Sequence, residues 1–419
     1  MGAPSVVDTA AAIGIQPLET PLLNRTAAEE RAATALAEAT RLAAILAEQR
    51  NEHDESAWVP AEHLEPLRQA GLFRLTIPVE LGGLGLWQGQ AYLPHFRILE
   101  AIAYGDSSIS QLVQVHSGVA HLITSLGTPA QRQRFAREVI EEGKLFASIG
   151  SEAPLAKQGP ATYESQLRRV DGGWILHGVK NFSTFAPQAD YFLVWTLVPG
   201  DEPAGERQVL AIVPRECPTV ELINDWDTLG MRATMSWSIR FHEHFVPDDM
   251  MVGRPGWWKH DAPRVSFLLG PASNFLGTAQ SALDFTARYA STRPHLRESQ
   301  VIRVRLGEMS SQLSAARCAV YAAARLWEDE TVDPDTAELN SMRAFHLART
   351  AVLDITLRCF DICGARTTFR VHPLGAALRD GRTFTLQHRD ETYMELVGST
   401  LLGEPFSRHA ELEVAIKQG

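Results

Sequence analysis

Apolar residues recur along the first third of the chain at helical spacing. Leu112, Val115, Val119 and Leu122 stand at i, i+3, i+7 and i+10, the stripe of a helix with one buried face. Asp106 precedes them as an N-cap. Upstream, Thr26 and Glu29 make a capping box and Ala-rich sequence runs on to about Arg50. Pro60 opens a second helix and Gly71 closes it, and Thr128-Pro129 starts another that Gly143 ends. Residues 26–144 therefore read as a helical domain, preceded by a flexible arm over residues 1–25.

The period then changes to two. Tyr163 to Val170, the turn Asp171-Gly172-Gly173 and Trp174 to Val179 read as a hairpin. Asp190 to Val198, Gln208 to Pro214 and Ser236 to Phe245 add strands, so residues 145–255 predict an antiparallel β domain. His242 and His244 alternate on the last strand, which puts them on one face, and no third ligand accompanies them. Residues 256–419 return to helix. Leu268 to Ala290, Ser299 to Glu328 and Asp335 to Cys363 are long, and Leu306, Met309, Leu313 and Ala316 give one of them a core face. Long helices joined by short connections predict a four-helix bundle. The fold class is α+β, in the order helical, β, helical.

Composition narrows the functions open to such a chain. Its 419 residues carry a net charge of −11, against the basic face that tracking a nucleic-acid backbone requires. No apolar run reaches membrane-span length, and no secretory signal is visible at the N-terminus. Cys217, Cys318, Cys359 and Cys363 include no CxxC pair, which predicts reduced thiols and a cytoplasmic protein without a metal site. Gly82-Gly83-Leu84-Gly85 is glycine-rich but follows no strand, so it is not a dinucleotide turn. Trp195, Trp226, Trp237, Trp257 and Trp258 crowd one region, and Trp226 is a candidate for lining an aromatic substrate pocket.

Several short segments, in this order and spacing, resemble the acyl-CoA dehydrogenase superfamily. They are LFRLTIPVELGGLGL at 72–86, FASIGSE at 146–152, Gly178-Val179-Lys180-Asn181-Phe182-Ser183-Thr184, Leu229-Gly230-Met231-Arg232, YASTR at 289–293 and Leu378-Arg379-Asp380. The resemblance runs from about residue 30 to residue 404. It implies that family's fold, and a homotetramer assembled by the C-terminal bundle.

One departure bears on chemistry. After the Arg-Asp turn the dehydrogenases carry a glutamate that removes an α-proton, whereas this chain has Leu386-Gln387-His388-Arg389-Asp390-Glu391. Counting eight residues from Asp380 places His388 there, while a shift of one would place Gln387 or Arg389. A histidine is similar to the two-component flavin monooxygenases of this fold, of the dibenzothiophene monooxygenase and p-hydroxyphenylacetate hydroxylase types. That resemblance implies reduced FMN, with FAD as the alternative, delivered by a separate flavin reductase. It further implies O₂, a C4a-(hydro)peroxyflavin, and oxygenation of a small organosulfur, aromatic or amine substrate. His388 would manage a proton near neutral pH. Ser183 and Thr184 would line the flavin N5 edge, with Phe182 packed on the ring. His116 would face the substrate, and Arg293, Arg366 or Arg370 would hold the phosphate. The alternatives are an acyl-CoA dehydrogenase with its base elsewhere, a nitroalkane-type oxidase using Asp390, and a non-catalytic DNA-binding member of the fold.

Overall fold

The computed structural model describes residues 27–87, 91–152 and 165–408. The arm at 1–25, the Thr26 end of the capping box and the start of the hairpin at Tyr163 lie outside them. The N-terminal helices are α1 (Ala27–Ser56), α2 (Ala61–Gln69), α3 (Tyr92–Gly105), α4 (Ser107–Leu126) and α5 (Pro129–Glu141). Asp106 caps α4 through the N–H groups of Ser108 and Ile109, and Thr128 and Gln131 form a reciprocal capping box on α5. The sequence pattern did not mark α3. It is buried along most of its length, so it lacks the polar face that gives a surface helix its period.

The middle of the chain forms β1 (Phe146–Ile149), β2 (Gln166–Val170), β3 (Gly173–Ser183), β4 (Tyr191–Leu197), β5 (Gln208–Pro214), β6 (Val220–Ile223), β7 (Trp237–Pro247) and β8 (Met251–Val252). The main sheet order is β6-β7-β3-β2-β4-β5-β8. The domain is not wholly antiparallel, because β1 pairs with β4 in parallel and β2 meets β4 the same way. His242 and His244 do not share a face either. Glu243 between them has φ 46° and the β3–β7 register shifts there, so a bulge reverses the alternation. His244 is buried against Thr219 while His242 stays outside with Glu221.

Two short helices, α6 (Ala204–Arg207) and α7 (Trp257–His260), edge the sheet. The C-terminal helices are α8 (Leu269–Ser291), α9 (Pro294–Arg297), α10 (Gln300–Glu328), α11 (Pro334–Cys363), α12 (Pro373–Phe384) and α13 (Asp390–Leu401). Helix α8 is the common neighbour, packing on α3, α4, α10, α11 and α12. None of the described helices is long and apolar enough to cross a membrane.

The sheet and the last helices meet at one tight point. A Cβ built on Gly230 would lie 2.2 Å from the carbonyl of Arg379 and 2.5 Å from the amide of Asp380. Beside it, the Met231 N–H donates to Asp380 Oδ1 at 2.7 Å. Both motif turns, Leu229-Gly230-Met231-Arg232 and Leu378-Arg379-Asp380, are the two halves of this contact. Gly230→Ala is expected to lower stability by about 3 kcal/mol, read as a fall in the urea midpoint at unchanged slope.

Candidate active site

Strand β3 ends in a strained turn. Phe182 (φ 55°) and Phe185 (φ 74°) both occupy the left-handed region, which bulky L-residues adopt only when their surroundings enforce it. The turn is tied to its neighbour, residues 231–236, by Phe185 N–H donating to the Thr234 carbonyl at 2.9 Å. A hydroxyl ladder runs alongside, with Thr184 Oγ1 3.0 Å from Ser236 Oγ, which is 2.7 Å from Thr234 Oγ1. Met231 (φ 53°) and Met235 (φ 48°) are left-handed as well. Strain gathered in two bonded turns is the signature of a constrained site.

Lys180 explains two of the motifs. Its fully buried ammonium lies 2.6 Å from Glu152 Oε1 and donates to the carbonyls of Trp195 at 2.6 Å and Gly150 at 3.2 Å. Burial pushes its pKa down to about 8. Asn181 N–H donates to the Ser151 carbonyl at 2.9 Å. The FASIGSE segment and the lysine strand are thus pinned together, fixing where β3 ends.

At that end the side chains divide. Ser183 is buried and its Oγ has no hydrogen-bond partner. Phe182 is 60% exposed and meets Trp226 edge to face at 5.9 Å. The Trp226 ring is held by its own Nε1 donating to the Met231 carbonyl at 3.0 Å. An orphaned hydroxyl beside an open aromatic ledge suits a flat ligand with a polar edge.

His388 lies in the loop between α12 and α13, its Nδ1 2.8 Å from the Tyr393 hydroxyl and its ring edge-on to Phe345 at 5.6 Å. Phe345 continues to Phe275 on α8 at 5.6 Å, and the neighbouring Asn274 donates to the Ser107 carbonyl at the head of α4. Burial lowers the pKa of His388 to about 4. The ring is therefore neutral at pH 7, a hydrogen-bonding group rather than one titrating near neutrality. Gln387 and Arg389, its neighbours in register, are exposed. Asp390 is held by His346 at 2.8 Å and Arg349 at 3.4 Å.

His116 is engaged at both ring nitrogens by backbone groups. Its Nδ1 accepts from Phe146 N–H at 3.0 Å and its Nε2–H donates to the Phe73 carbonyl at 2.7 Å. With both nitrogens committed to backbone and no exposure, it joins α4 to β1 and to the segment before the glycine-rich loop. Arg293 is folded over Tyr289, 3.4 Å from the ring centroid, and donates to the Tyr289 carbonyl. Arg366 and Arg370 are exposed on the turn between α11 and α12. The structure brings Phe182, Ser183, Thr184 and Trp226 together, and leaves His116 and Arg293 apart from them in role.

A second group went unread in the sequence. Between Ser107 and Thr124 of α4 only Gln114 and Val115 escape full burial. Gln111 Oε1, Gln114 Oε1 and Ser117 Oγ have no hydrogen-bond partner. Facing this helix, His95 is fully buried with both ring nitrogens unpartnered, 4.7 Å from Trp87, whose Nε1 is unpartnered too. His121 meets Trp87 at 5.2 Å, and Phe267 and Trp258 extend the ring wall. So many orphaned polar atoms in one place are unusual for a core and ordinary for a ligand chamber. The available signal was Gln111, Gln114, Ser117 and His121 recurring on one side of a helix whose other side is apolar.

The sequence matches the profiles described as acyl-CoA dehydrogenase N-terminal domain over residues 28–142, middle domain over 155–243 and C-terminal domain over 269–388. Dibenzothiophene monooxygenase of Mycolicibacterium goodii is 29% identical, covering 85% of this chain and 90% of the relative. Mitochondrial 2-methylacyl-CoA dehydrogenase of Solanum tuberosum is 27% identical, covering 75% and 76%. Among solved structures, TdsC of Paenibacillus sp. A11-2 in complex with FMN and indole superposes with a TM-score of 0.80 at 25% identity, covering 89% of this chain and 98% of that one. Butyryl-CoA dehydrogenase of Megasphaera elsdenii, at 22% identity, shares the fold with a TM-score of 0.80 over 91% and 100%.

Burial holds four histidines neutral, with pKa values lowered to about 3 for His95 and about 4 for His116, His121 and His388. Burial raises Asp380 to about 7. Between pH 6.5 and about 4, unfolding takes protons onto the four histidines and releases one from Asp380, so stability falls as pH drops through this window. Denaturant titrations from pH 7 to pH 4.5 are expected to show that fall. His116→Ala, which orphans two backbone groups, is expected to cost about 2–4 kcal/mol at pH 7. A loss of activity with unchanged stability would instead return His116 to the substrate.

Proposed function

The chain belongs to the acyl-CoA dehydrogenase family, and from that premise we propose that it is a flavin-dependent monooxygenase. It takes reduced flavin, FMN in preference to FAD, from a separate reductase and uses O₂ to oxygenate a small organosulfur, aromatic or amine substrate. The observation that carries this reading is the half-buried imidazole of His388, bonded to the Tyr393 hydroxyl and set edge-on to Phe345 in the loop after the Arg-Asp turn, where a dehydrogenase needs a free carboxylate. Asp390, two residues on, pairs with His346 and Arg349 through Oδ2 while its buried Oδ1 has no hydrogen-bond partner, so an oxidase using Asp390 is the second reading. Relatives that bear the name dibenzothiophene monooxygenase, and a neighbour holding FMN and indole, point the same way.

The residues present fit a flavin ring. Phe182 and Trp226 would pack against it, and the partnerless Ser183 hydroxyl, with Thr184 beside it, would hold its polar edge. Arg366 and Arg370 are the open candidates for its phosphate, since Arg293 is occupied by Tyr289. Bound and reduced, the flavin supplies the electrons that activate O₂. The protein's part is to orient and to keep water out. His388, with Nδ1 engaged by Tyr393, would use Nε2 for a hydrogen bond to the reacting oxygen. The substrate would lie by Trp87, His95, Gln111, Gln114 and Phe267, with its rings against the aromatic side chains and its heteroatom toward the unpartnered amide oxygens.

The reading extends to assembly and place. Val301 and Val304 on α10 and Leu347 and Leu357 on α11 are 45–59% exposed, an apolar face that suits a homotetramer built by the C-terminal bundle. Light scattering that gives a monomer would remove that part. The cytoplasm, where a reductase can hand over reduced flavin, is the proposed location.

Reduced FMN bound to the protein is expected to reoxidise more slowly than FMN in buffer on stopped-flow mixing with O₂. Equal rates, or a tightly bound FAD bleached by an acyl-CoA, would defeat the proposal. Ser183→Ala is expected to leave the melting temperature within a degree or two and weaken flavin binding about tenfold. His388→Gln is expected to keep flavin binding and lower kcat by about 10²-fold.

A further inference from the structure

A cleft of about 220 Å³ lies between the end of α1, the end of α3 and the outer face of α8, lined by none of the residues discussed above as a site. Its floor is Arg50, only 7% exposed. Arg50 forms no ion pair among the described residues. Among the described residues its guanidinium has one hydrogen bond, a 3.4 Å contact to Ser281 Oγ, and its buried Nε has no partner. None of the nearby acids among the described residues comes within ion-pair distance of Arg50, although Asp54 Oδ1 itself has no hydrogen-bond partner. Asp106 binds His53 and caps α4, Asp54 binds Arg379, and Asp380 accepts from Met231 N–H.

A buried guanidinium without a hydrogen-bonded counter-ion is costly. It is also the group best shaped to take an oxyanion through two parallel N–H donors. Arg288, exposed on α8, also lines the cleft, where the Tyr104 hydroxyl engages it while itself donating to Asp284 Oδ2 at 3.1 Å. The Asn51 amide and Ser281 hydroxyl add neutral polar groups. The rest of the lining is apolar, from Phe285, Val371 and Pro373.

We propose that this cleft is a second binding site, distinct from the flavin and substrate site, for a small organic carboxylate clamped between Arg50 and Arg288 with its apolar body against Phe285 and Val371. The fork of donors answers the carboxylate, and the apolar lining with its excess volume answers the body that a bare inorganic anion lacks.

The test is calorimetric titration of the full-length protein with benzoate, with inorganic phosphate and benzyl alcohol as controls, in the presence and absence of saturating FMN. Benzoate is expected to bind at least tenfold more tightly than either control, with an affinity that FMN does not change. Arg288→Gln is expected to weaken benzoate at least tenfold, and Arg50→Met to abolish it without lowering the melting temperature of the free protein. Should Arg50→Met fail to fold, Arg288→Gln alone decides. The proposal is overturned if benzoate does not bind, if phosphate or benzyl alcohol binds as well, if FMN competes, or if Arg288→Gln is without effect. These outcomes do not depend on whether the protein is a monooxygenase, because no turnover is measured.

Discussion

The site depends on a contact smaller than a methyl group. Gly230 brings the turn at 229–232 onto the backbone of Arg379 and Asp380, and the Met231 amide closes the gap by donating to the Asp380 carboxyl. The turn beside it carries Thr234 and Ser236, which brace Thr184. The helix that carries Asp380 ends at Phe384, and His388 follows in the next loop. One close approach therefore sets how the strained end of the sheet stands relative to the imidazole. A buried carboxyl with a raised pKa is well placed at such a joint, because protonated it can pack against the sheet without a counter-ion.

Much of this was legible in the residues. Caps at Asp106 and Thr128 marked two helices, and period-two runs marked β4, β5 and β7 within two residues, while β3 runs four residues beyond its expected end and the short β6 and β8 were not read. Helix α3 was not legible, because a helix buried on nearly every side has no polar period to read. The parallel pairing of β1 with β4 was not either, since a four-residue strand carries no partner information. The bulge at Glu243 separated His242 from His244, and nothing in three residues announces a left-handed backbone there.

The site itself was half visible. The motif marked Phe182, Ser183 and Thr184, and the structure sets Trp226, singled out only by the crowding of tryptophans, against Phe182. His116 looked like a reactive group because a histidine on an apolar helix is conspicuous in a sequence. In the fold its two nitrogens are absorbed by two backbone groups from distant segments, and only three-dimensional pairing reveals that. The reverse held for Gln111 and Gln114. Amides on a helix read as surface, and the fact that their carbonyl oxygens are buried without partners is invisible until the neighbours are placed.

The aromatic ledge of Phe182 and Trp226 has a colloidal consequence. A phenylalanine open to water in a rigid, left-handed turn cannot fold itself away. The ledge is therefore a standing adhesive patch, and whatever flat apolar surface covers it also keeps one molecule from sticking to the next.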